Sequence, residues 1–581
     1  MPAVMKTPGV YIVEESAFPS SVVEVATAVP AFIGYTEKAD NSGRSLASRP
    51  WRITSMAEYH TYFGGAPMSL FGLAPAASGQ LTGEPETQPD AEPPAASDAG
   101  NTTSSETETN GAPEEEPSAA ADAAPPEGPE AGGDVATAAA PEIAGFSFGG
   151  QGYLLEQETA EYLLYYSMRL FFQNGGSPCY IVSVGTYGDG IEMERLRGGI
   201  NLLVKEQEPT MVVVPEAVRL IEADCITVQQ AMLRHCGETM KNRFAVLDIY
   251  NGYRDRQHPG GDCIDNFRSA LGVNNLDYAA AYYPWVNTTI VGDADLSYEN
   301  ISEASKPLFQ TLLRRELGLP EDGTAVEGRA APQAEAIDDI TKDWTQPDSE
   351  GHVATAEETA AGKALLDKIL KGVSPQLYAS VMTEIKDKLN LLPPAAAIAG
   401  VYTAVDNARG VWKAPANVSL NAVVSPSVNI THDDQEDLNV TVQGKSINAI
   451  RPFIGEGVLV WGGRTLDGNS LDWRYVQVRR TMIMLEESIK LAAKAYVFEN
   501  NNANTWVTVK STISNFLTGI WKRGGLAGAS SGDAFSVFVG LGETMTSVDI
   551  LEGIMRVTVL VAITRPAEFI EITFQQQMQQ S

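Results

Sequence analysis

Four short runs between residues 179 and 286, CYIVSVG, TMVVVPE, RFAVLDIY and YAAAYYPWV, are apolar almost without interruption, and segments with helical spacing separate them. A strand that alternates apolar and polar residues needs cover on one face only, whereas one apolar throughout needs cover on both. Runs of this kind joined by helices predict a mostly parallel sheet layered between helices. The helices are legible at CITVQQAMLRHCGETM and CIDNFRSAL, and an earlier one ends in MRLFFQNGG, where Asn174 and Gly175 supply a left-handed stop. The region from about 143 to 300 therefore reads as an α/β domain.

With 581 residues the chain exceeds what one core organises, so further domains are expected. After two helices near 356–372 and 376–390, one amphipathic helix sets Val478, Met482, Leu485, Ile489, Ala492 and Tyr496 on a face, and the next does so with Trp506, Val509, Ile513, Phe516 and Ile520. Then Val557, Val559, Val561 and Ile563 alternate with their neighbours, and after Arg565-Pro566 a second alternation sets Ile570, Ile572 and Phe574 against Phe569, Glu571 and Thr573. At the other end GVYIVEE, SVVEVAT and AFIGYT read as an extended arm leading into a strand. No repeat of solenoid period is visible.

The formal charge of −33 is unevenly spread. No Lys or Arg occurs from Ile53 to Met168, while fifteen Asp and Glu fall between Glu84 and Glu142. There the chain from about 74 to 141 is Pro, Ala, Gly, Glu, Ser and Thr, a composition that cannot offset the entropy of ordering, so a disordered surface insertion is expected. So acidic a chain repels nucleic acid and anionic lipid, whose binding needs an excess of Lys and Arg. The four cysteines, Cys179, Cys225, Cys236 and Cys263, form no CxxC pair and fit buried thiols in a reducing compartment. MPAVMKTPGVYIVEE lacks the basic and apolar blocks of a secretory signal, and the apolar runs are too short to cross a bilayer, so cytoplasmic assembly is expected.

Motifs that bear chemistry are weak. VTVQGKS (440–446) ends like a phosphate loop, but Asn439 stands where its first glycine belongs, so a turn between strands is expected. Cys225, His235 and Cys236 share one helix without a second ligand pair, which favours buried side chains over metal. THDDQED (431–437) lacks the glycine and terminal Glu of a calcium loop and reads as a solvated acidic loop. Ser183, Asp248 and His258 make a nominal hydrolase trio, yet GxSxG is absent. In VYTAVDNARGVWKAPAN (401–417), Gly410 and Pro415 close a corner, Trp412 anchors it, and Asp406, Arg409 and Lys413 are left for a neighbour. No catalytic, cofactor or metal residue is assigned, and no enzyme activity is expected.

A strand-like arm at each terminus either closes the chain's own sheet or is donated to the open edge of another subunit's sheet. Donor arm and acceptor edge on one chain give a heterologous contact that propagates as a ring or helix. The chain reads as a part that polymerises.

In these features it resembles the tail sheath proteins of contractile phages and phage-like contractile injection systems. The resemblance rests on TPGVYIVEE and AVPAFIGYT, on FFQNGGSPCYIVSV, and above all on LPPAAAIAGVYTAVDNARGVWKAPANVSL, INAIRPFIGEGVLVWGGRTL, WRYVQVRRTMIMLEESI and RPAEFIEITFQQQ in that order. It covers the first 36 residues, patches of the α/β region and nearly all of the last 190. Ala395 and Ala396 depart from a common Ser-Gly, and the tract 74–141 is not a family feature.

The resemblance implies an α/β and α+β multidomain fold: a sheath core built from both chain ends, with an inserted subtilisin-like α/β domain lacking a catalytic triad. On that pattern residues 1–36 are the N-terminal arm and first core strands, 37–73 the start of the inserted region, and 74–142 the acidic insertion. Residues 143–350 are the outer α/β domain with its polar linker, 351–395 connecting helices, 396–566 the sheath core, and 567–581 a C-terminal strand arm. It further implies stacked hexameric rings around an inner tube, driving that tube through a target envelope without nucleotide or cofactor. The implied partners are copies of itself, the tube protein, and baseplate and terminal cap proteins, with neither nucleic acid nor membrane insertion. The implied exchanged strands are Gly9, Val10, Tyr11, Ile12 and Val13 with Phe569, Ile570, Glu571, Ile572 and Phe574. Arg409, Gly410, Trp412, Lys413 and Pro415 form a core corner, and Lys510, Lys522 and Arg523 are candidate tube contacts. The competing readings are an α/β hydrolase-like or nucleotide-binding enzyme with appended domains, and a surface adhesin.

Overall fold

The computed structural model describes residues 22–76, 144–324, 326–344, 346 and 354–569. The main strands, in chain order, are β1 (Pro30–Thr36), β2 (Trp51–Ile53), β3 (Phe71–Pro75), β4 (Ala144–Phe148), β5 (Gln151–Gln157), β6 (Cys179–Thr186), β7 (Met211–Val213), β8 (Phe244–Asp248), β9 (Ala279–Tyr283), β10 (Val418–Ser419), β11 (Asn448–Phe453), β12 (Gly457–Trp461), β13 (Phe535–Phe538) and β14 (Thr558–Val561). The helices that matter here are α1 (Leu164–Gln173), α2 (Glu222–Arg234), α3 (Cys263–Ala270), α4 (Ala356–Val373), α5 (Pro375–Asn390), α6 (Ala395–Arg409), α7 (His432–Asn439), α8 (Val476–Ala493) and α9 (Ala503–Lys522).

Nine of the described strands form one sheet in the order β10-β12-β11-β9-β8-β7-β1-β6-β2. The central pairings, β1 with β6 and β7, β7 with β8, β8 with β9 and β9 with β11, are all parallel. The apolar runs of the sequence are therefore the strands of a buried parallel sheet. β1 is buried at every position, because it lies between two neighbours and beneath cover on both faces. The sheet runs across the expected boundaries near 36 and 396: the strand after the N-terminal arm lies inside it, between β7 and β6, and β10 to β12 form one flank. Parallel partners are necessarily remote in sequence, so nothing local marks their membership.

Two helices packed face to face show how the sequence sets the spacing. α1 ends at Asn174, whose own backbone is not left-handed; Gly175, with φ 88°, makes the turn. Asn174 Nδ2 donates to Leu170 O and Asn421 O, and its Oδ1 accepts from Asn421 N at 2.8 Å. α6 opposes α1 with a face of small residues, and a Cβ on Gly400 would lie 2.7 Å from Phe171 O. Asp248, at the end of β8, accepts from the Ala395 N–H at the start of α6 at 2.7 Å. α6 continues through Arg409, so the corner expected over 401–417 begins only at Gly410.

A second apolar core gathers Met484 and Leu485 of α8, Val509, Ile513, Leu517 and Ile520 of α9, and Val537 of β13. Val557, Val559, Val561 and Ile563 pack on it while Leu560 points out, as the alternation requires. Val25 and the corner residues Val411 and Trp412 complete it, so this module contains residues from three separate parts of the chain. Arg479 ties it to the sheet: its guanidinium lies 3.6 Å from the Trp473 ring centroid and 4.4 Å from that of Tyr278, and it pairs with Asp277.

A further expectation is corrected. THDDQED is not a loop but helix α7, capped by Thr431 and Asp434. Its acidity is taken up by the dipole of the first turn and by Asp437, which accepts from Arg268 and Arg256 at 2.8 Å each.

Candidate functional site

The nominal catalytic groups are dispersed or committed. Ser183 lies on β6 and Asp248 on β8, three strand spacings or roughly 14 Å apart, and Ser183 Oγ bonds Thr36 Oγ1 at 2.6 Å. Lys445 is buried and donates to Arg268 O, while Ser446 Oγ donates to Asn439 O at 2.7 Å. The Gly-Lys-Ser run joins α7 to β11 and offers no phosphate cradle. Burial pushes the Cys225 thiol above its usual range and the Cys236 thiol up to about 12, and His235, held down to about 4 by burial and Arg243, contacts the Arg243 guanidinium at 2.8 Å. No group of three or more metal-ligating side chains occurs among the described residues, and no described helix is long and apolar enough to cross a membrane.

What the structure does assemble is an anchorage for both chain ends. On the N-terminal side Val25 N–H donates to Ser488 Oγ at 3.1 Å, and Thr27 O accepts from Arg480 Nη2 at 2.9 Å and from Thr210 Oγ1 at 2.8 Å. Arg480 is itself clamped by Asp406, with Nη1 to Oδ1 at 3.0 Å and Nη2 to Oδ2 at 2.6 Å, and its guanidinium lies 4.6 Å from the Tyr402 ring centroid. Both side chains of this pair are nearly inaccessible, at 4% and 2% exposure. Glu24 accepts from Arg523 Nη2 at 2.5 Å, and Arg523 in turn lies over the Trp412 ring at 5.0 Å.

On the C-terminal side Thr564 Oγ1 donates to Gly524 O at 3.0 Å. Glu568 then accepts from Arg464 Nε at 2.9 Å and Nη2 at 2.7 Å, from Asn439 Nδ2 at 3.0 Å and from Tyr475 OH at 3.0 Å. Burial alone would raise the Glu568 carboxyl, but these donors more than offset it and hold it below its ordinary value. The Arg523–Gly524 turn after α9 thus holds the N-terminal side through Glu24 and the C-terminal side through Thr564.

Of the sites expected from sequence, Gly9 to Val13 and Ile570, Glu571, Ile572 and Phe574 lie outside the described residues; Phe569, just past the Glu568 clamp, is exposed. At the corner Gly410 has φ 90°, and a Cβ there would lie 2.4 Å from the Trp412 ring, so glycine is required. Trp412 and Pro415 turn inward, Lys413 is half-buried and Arg409 exposed. Lys510 and Lys522 are exposed, whereas Arg523 is engaged with Glu24. Sequence reasoning left Asp406 for a neighbour without naming its partner, and missed Arg464, Arg480 and Glu568. The available signal was charge inside apolar helices: Asp406 within AAAIAGVYTAVD, and Arg480 within VQVRRTMIM. A charge in such a place requires a partner.

Replacing Glu568 with Gln removes the ionic half of the clamp and leaves the Arg464 guanidinium short of a counter-charge. The expected cost is about 1.5–3 kcal/mol, read as faster proteolytic cleavage after Arg565. Unchanged cleavage kinetics would show that the clamp does not hold this end.

The family model for the phage tail sheath C-terminal domain matches residues 469–577, which include α8, α9, β13, β14 and Glu568. The tail sheath protein of Enterobacteria phage T4 is 25% identical over 135 residues, 23% of this chain and 20% of that protein. The chain thus spans about a fifth of that curated relative. The helical sheath of the anti-feeding prophage in its contracted state is similar over 99% of this chain and 100% of that one, with TM-score 0.53 and 25% identity. A chain of the six-fold symmetrised anti-feeding prophage baseplate gives TM-score 0.51 and 25% identity over 99% of this chain and 100% of its own. The C-terminal part of the chain, residues 469–577, is thus similar to the phage tail sheath C-terminal domain, and the chain as a whole is similar in its mixed α/β fold to contractile sheath chains.

Proposed function

We propose that the chain is the repeating subunit of a contractile sheath, which polymerises as stacked hexameric rings around an inner tube and shortens to drive that tube through a target envelope. The observation that carries this reading is the convergence of both chain ends on the Arg523–Gly524 turn. Arms leaving a subunit from one anchored place transmit load into its second core through fixed side-chain contacts instead of through loose chain. Residues 9–13 and 569–574 act as the exchanged strands, and a heterologous exchange of this kind propagates as a helix. The module formed by 22–27, 411–412 and 476–569 is the core built from both ends, and the nine-stranded sheet is the body that takes the place of the subtilisin-like domain. Lys510 and Lys522 are better placed than Arg523 to face an acidic tube. Baseplate and cap proteins close the assembly at its two ends.

Removing residues 1–15 is expected to leave a folded monomer that forms no sheath by negative-stain microscopy. Tubes of normal pitch from the shortened chain would refute strand exchange.

A further inference from the structure

Between α8 and the starts of β7 and β8 lies an apolar cavity of about 360 Å³, lined by Phe244, Val411, Ile483 and Met484 and by Leu491, which is exposed and so marks its mouth. Val25 to Thr27 form a further wall, so the sheet body, the second core and the root of the N-terminal segment all touch the same space. The charged groups around it are already engaged: Arg480 with Asp406 and Thr27 O, Glu487 with Lys490 at 2.9 Å, and Glu208 with Arg52 at 3.2 Å and Tyr180 OH at 2.6 Å. Asn242 is different. It lines the cavity at 6% exposure, and its Oδ1 is a buried acceptor without a partner.

We propose that the cavity binds a neutral, largely hydrocarbon small molecule carrying a single N–H or O–H donor, with that donor set against Asn242 Oδ1. The volume falls in the range of small-molecule sites, roughly 300–1,000 Å³, and such sites pair apolar walls with a few polar groups that fix orientation. A charged ligand finds no free counter-charge here, and an anion would also meet Glu208 and Glu487. A wholly apolar ligand would leave Asn242 Oδ1 buried and unpaired, whereas a donor brought to it recovers that cost. Because both cores and the N-terminal root supply walls, an occupant is gripped by all three and favours the arrangement in which they meet. The site stands whether or not the chain assembles into a sheath.

Indole serves as the probe, and indene as its near-isostere without the N–H. In the full chain, saturation-transfer NMR and calorimetric titration are expected to show indole binding about tenfold more tightly than indene, the factor that one hydrogen bond supplies. Saturating indole should also raise the thermal midpoint. Asn242→Leu is expected to abolish the preference for indole while retaining indene. Leu491→Trp changes an exposed position and is expected to weaken both compounds by about tenfold, because it closes the mouth. No binding of either compound, equal affinities in the parent chain, or parental affinity for indole in the Leu491→Trp chain would each overturn the proposal.

Discussion

Replacing Asp406 with alanine is expected to destabilise the chain by about 3–5 kcal/mol, because it strands the Arg480 guanidinium in a site with almost no access to water. Arg480 donates at once to Asp406 and to Thr27 O, so loss of the carboxylate also loosens the root of the N-terminal segment. The denaturation midpoint of the α8–α9 module, followed by fluorescence of Trp506 and Trp521, should fall, and protease should cleave near residue 24 sooner. Asp406→Asn keeps the shape and one acceptor and should cost less. The double change Asp406→Leu with Arg480→Met should recover part of the midpoint while leaving the root loose, since apolar groups of similar volume replace a buried pair with little loss. A single-alanine midpoint within experimental scatter of the parent would show that the pair is not an anchor.

Stability should fall as pH rises from about 4.5 to 7 because of two carboxyls held inside the sheet body. Glu216 accepts from Leu163 N at 3.2 Å and Leu164 N at 2.8 Å where α1 begins, and its other oxygen has no partner. Burial raises it from 4.5 to about 7 against those hydrogen bonds. Asp248, below the start of α6, is raised by burial from 3.8 to about 7. A raised carboxyl keeps its proton in the folded chain when the unfolded chain has released it. Its contribution is therefore full below the unfolded pKa and disappears as pH rises through the folded one, on the order of 3 kcal/mol for each group. The Glu568 clamp has the opposite sign and is lost only as pH falls below the ordinary carboxylate range. Thermal midpoints taken from pH 5 to 8 should decline and then level, and Asp248→Asn with Glu216→Gln should flatten the curve. An identical decline in that double variant would place its origin elsewhere.

The strands of the parallel sheet were legible because burial on both faces leaves a compositional mark that needs no knowledge of partners. The same mark was present in PAFIGYT, but its place between β6 and β7 was not, since its partners Tyr180 and Met211 lie more than a hundred residues away. Helices α4, α5, α8 and α9 formed near their expected bounds; Ile483, Met484 and Leu517, all buried, were missed because the stripes of α8 and α9 are wider than one residue per turn. THDDQED was misread because its charge suggested solvent, whereas Thr431 and Asp434 cap a helix whose first turn favours acids. The anchorage was illegible for a simpler reason. Asp406 with Arg480, Glu24 with Arg523 and Arg464 with Glu568 are pairs that only the tertiary fold brings into contact.

The small sheet β3-β5-β4 has a practical corollary. β4 and β5 form a tight hairpin through Gly149 and Gly150, both with positive φ, and β3 pairs with the other edge of β5. Pro75 faces Tyr153 and Ala144 faces Leu155, so the two points where the chain leaves and re-enters lie on either side of one strand, roughly 10–12 Å apart. Whatever joins them is under almost no geometric demand, because doubling such a loop adds only about 0.6 kcal/mol. The position is a natural port for cargo: an epitope, a fluorescent domain or a targeting module can be spliced in place of the native tract without asking the body of the subunit to change.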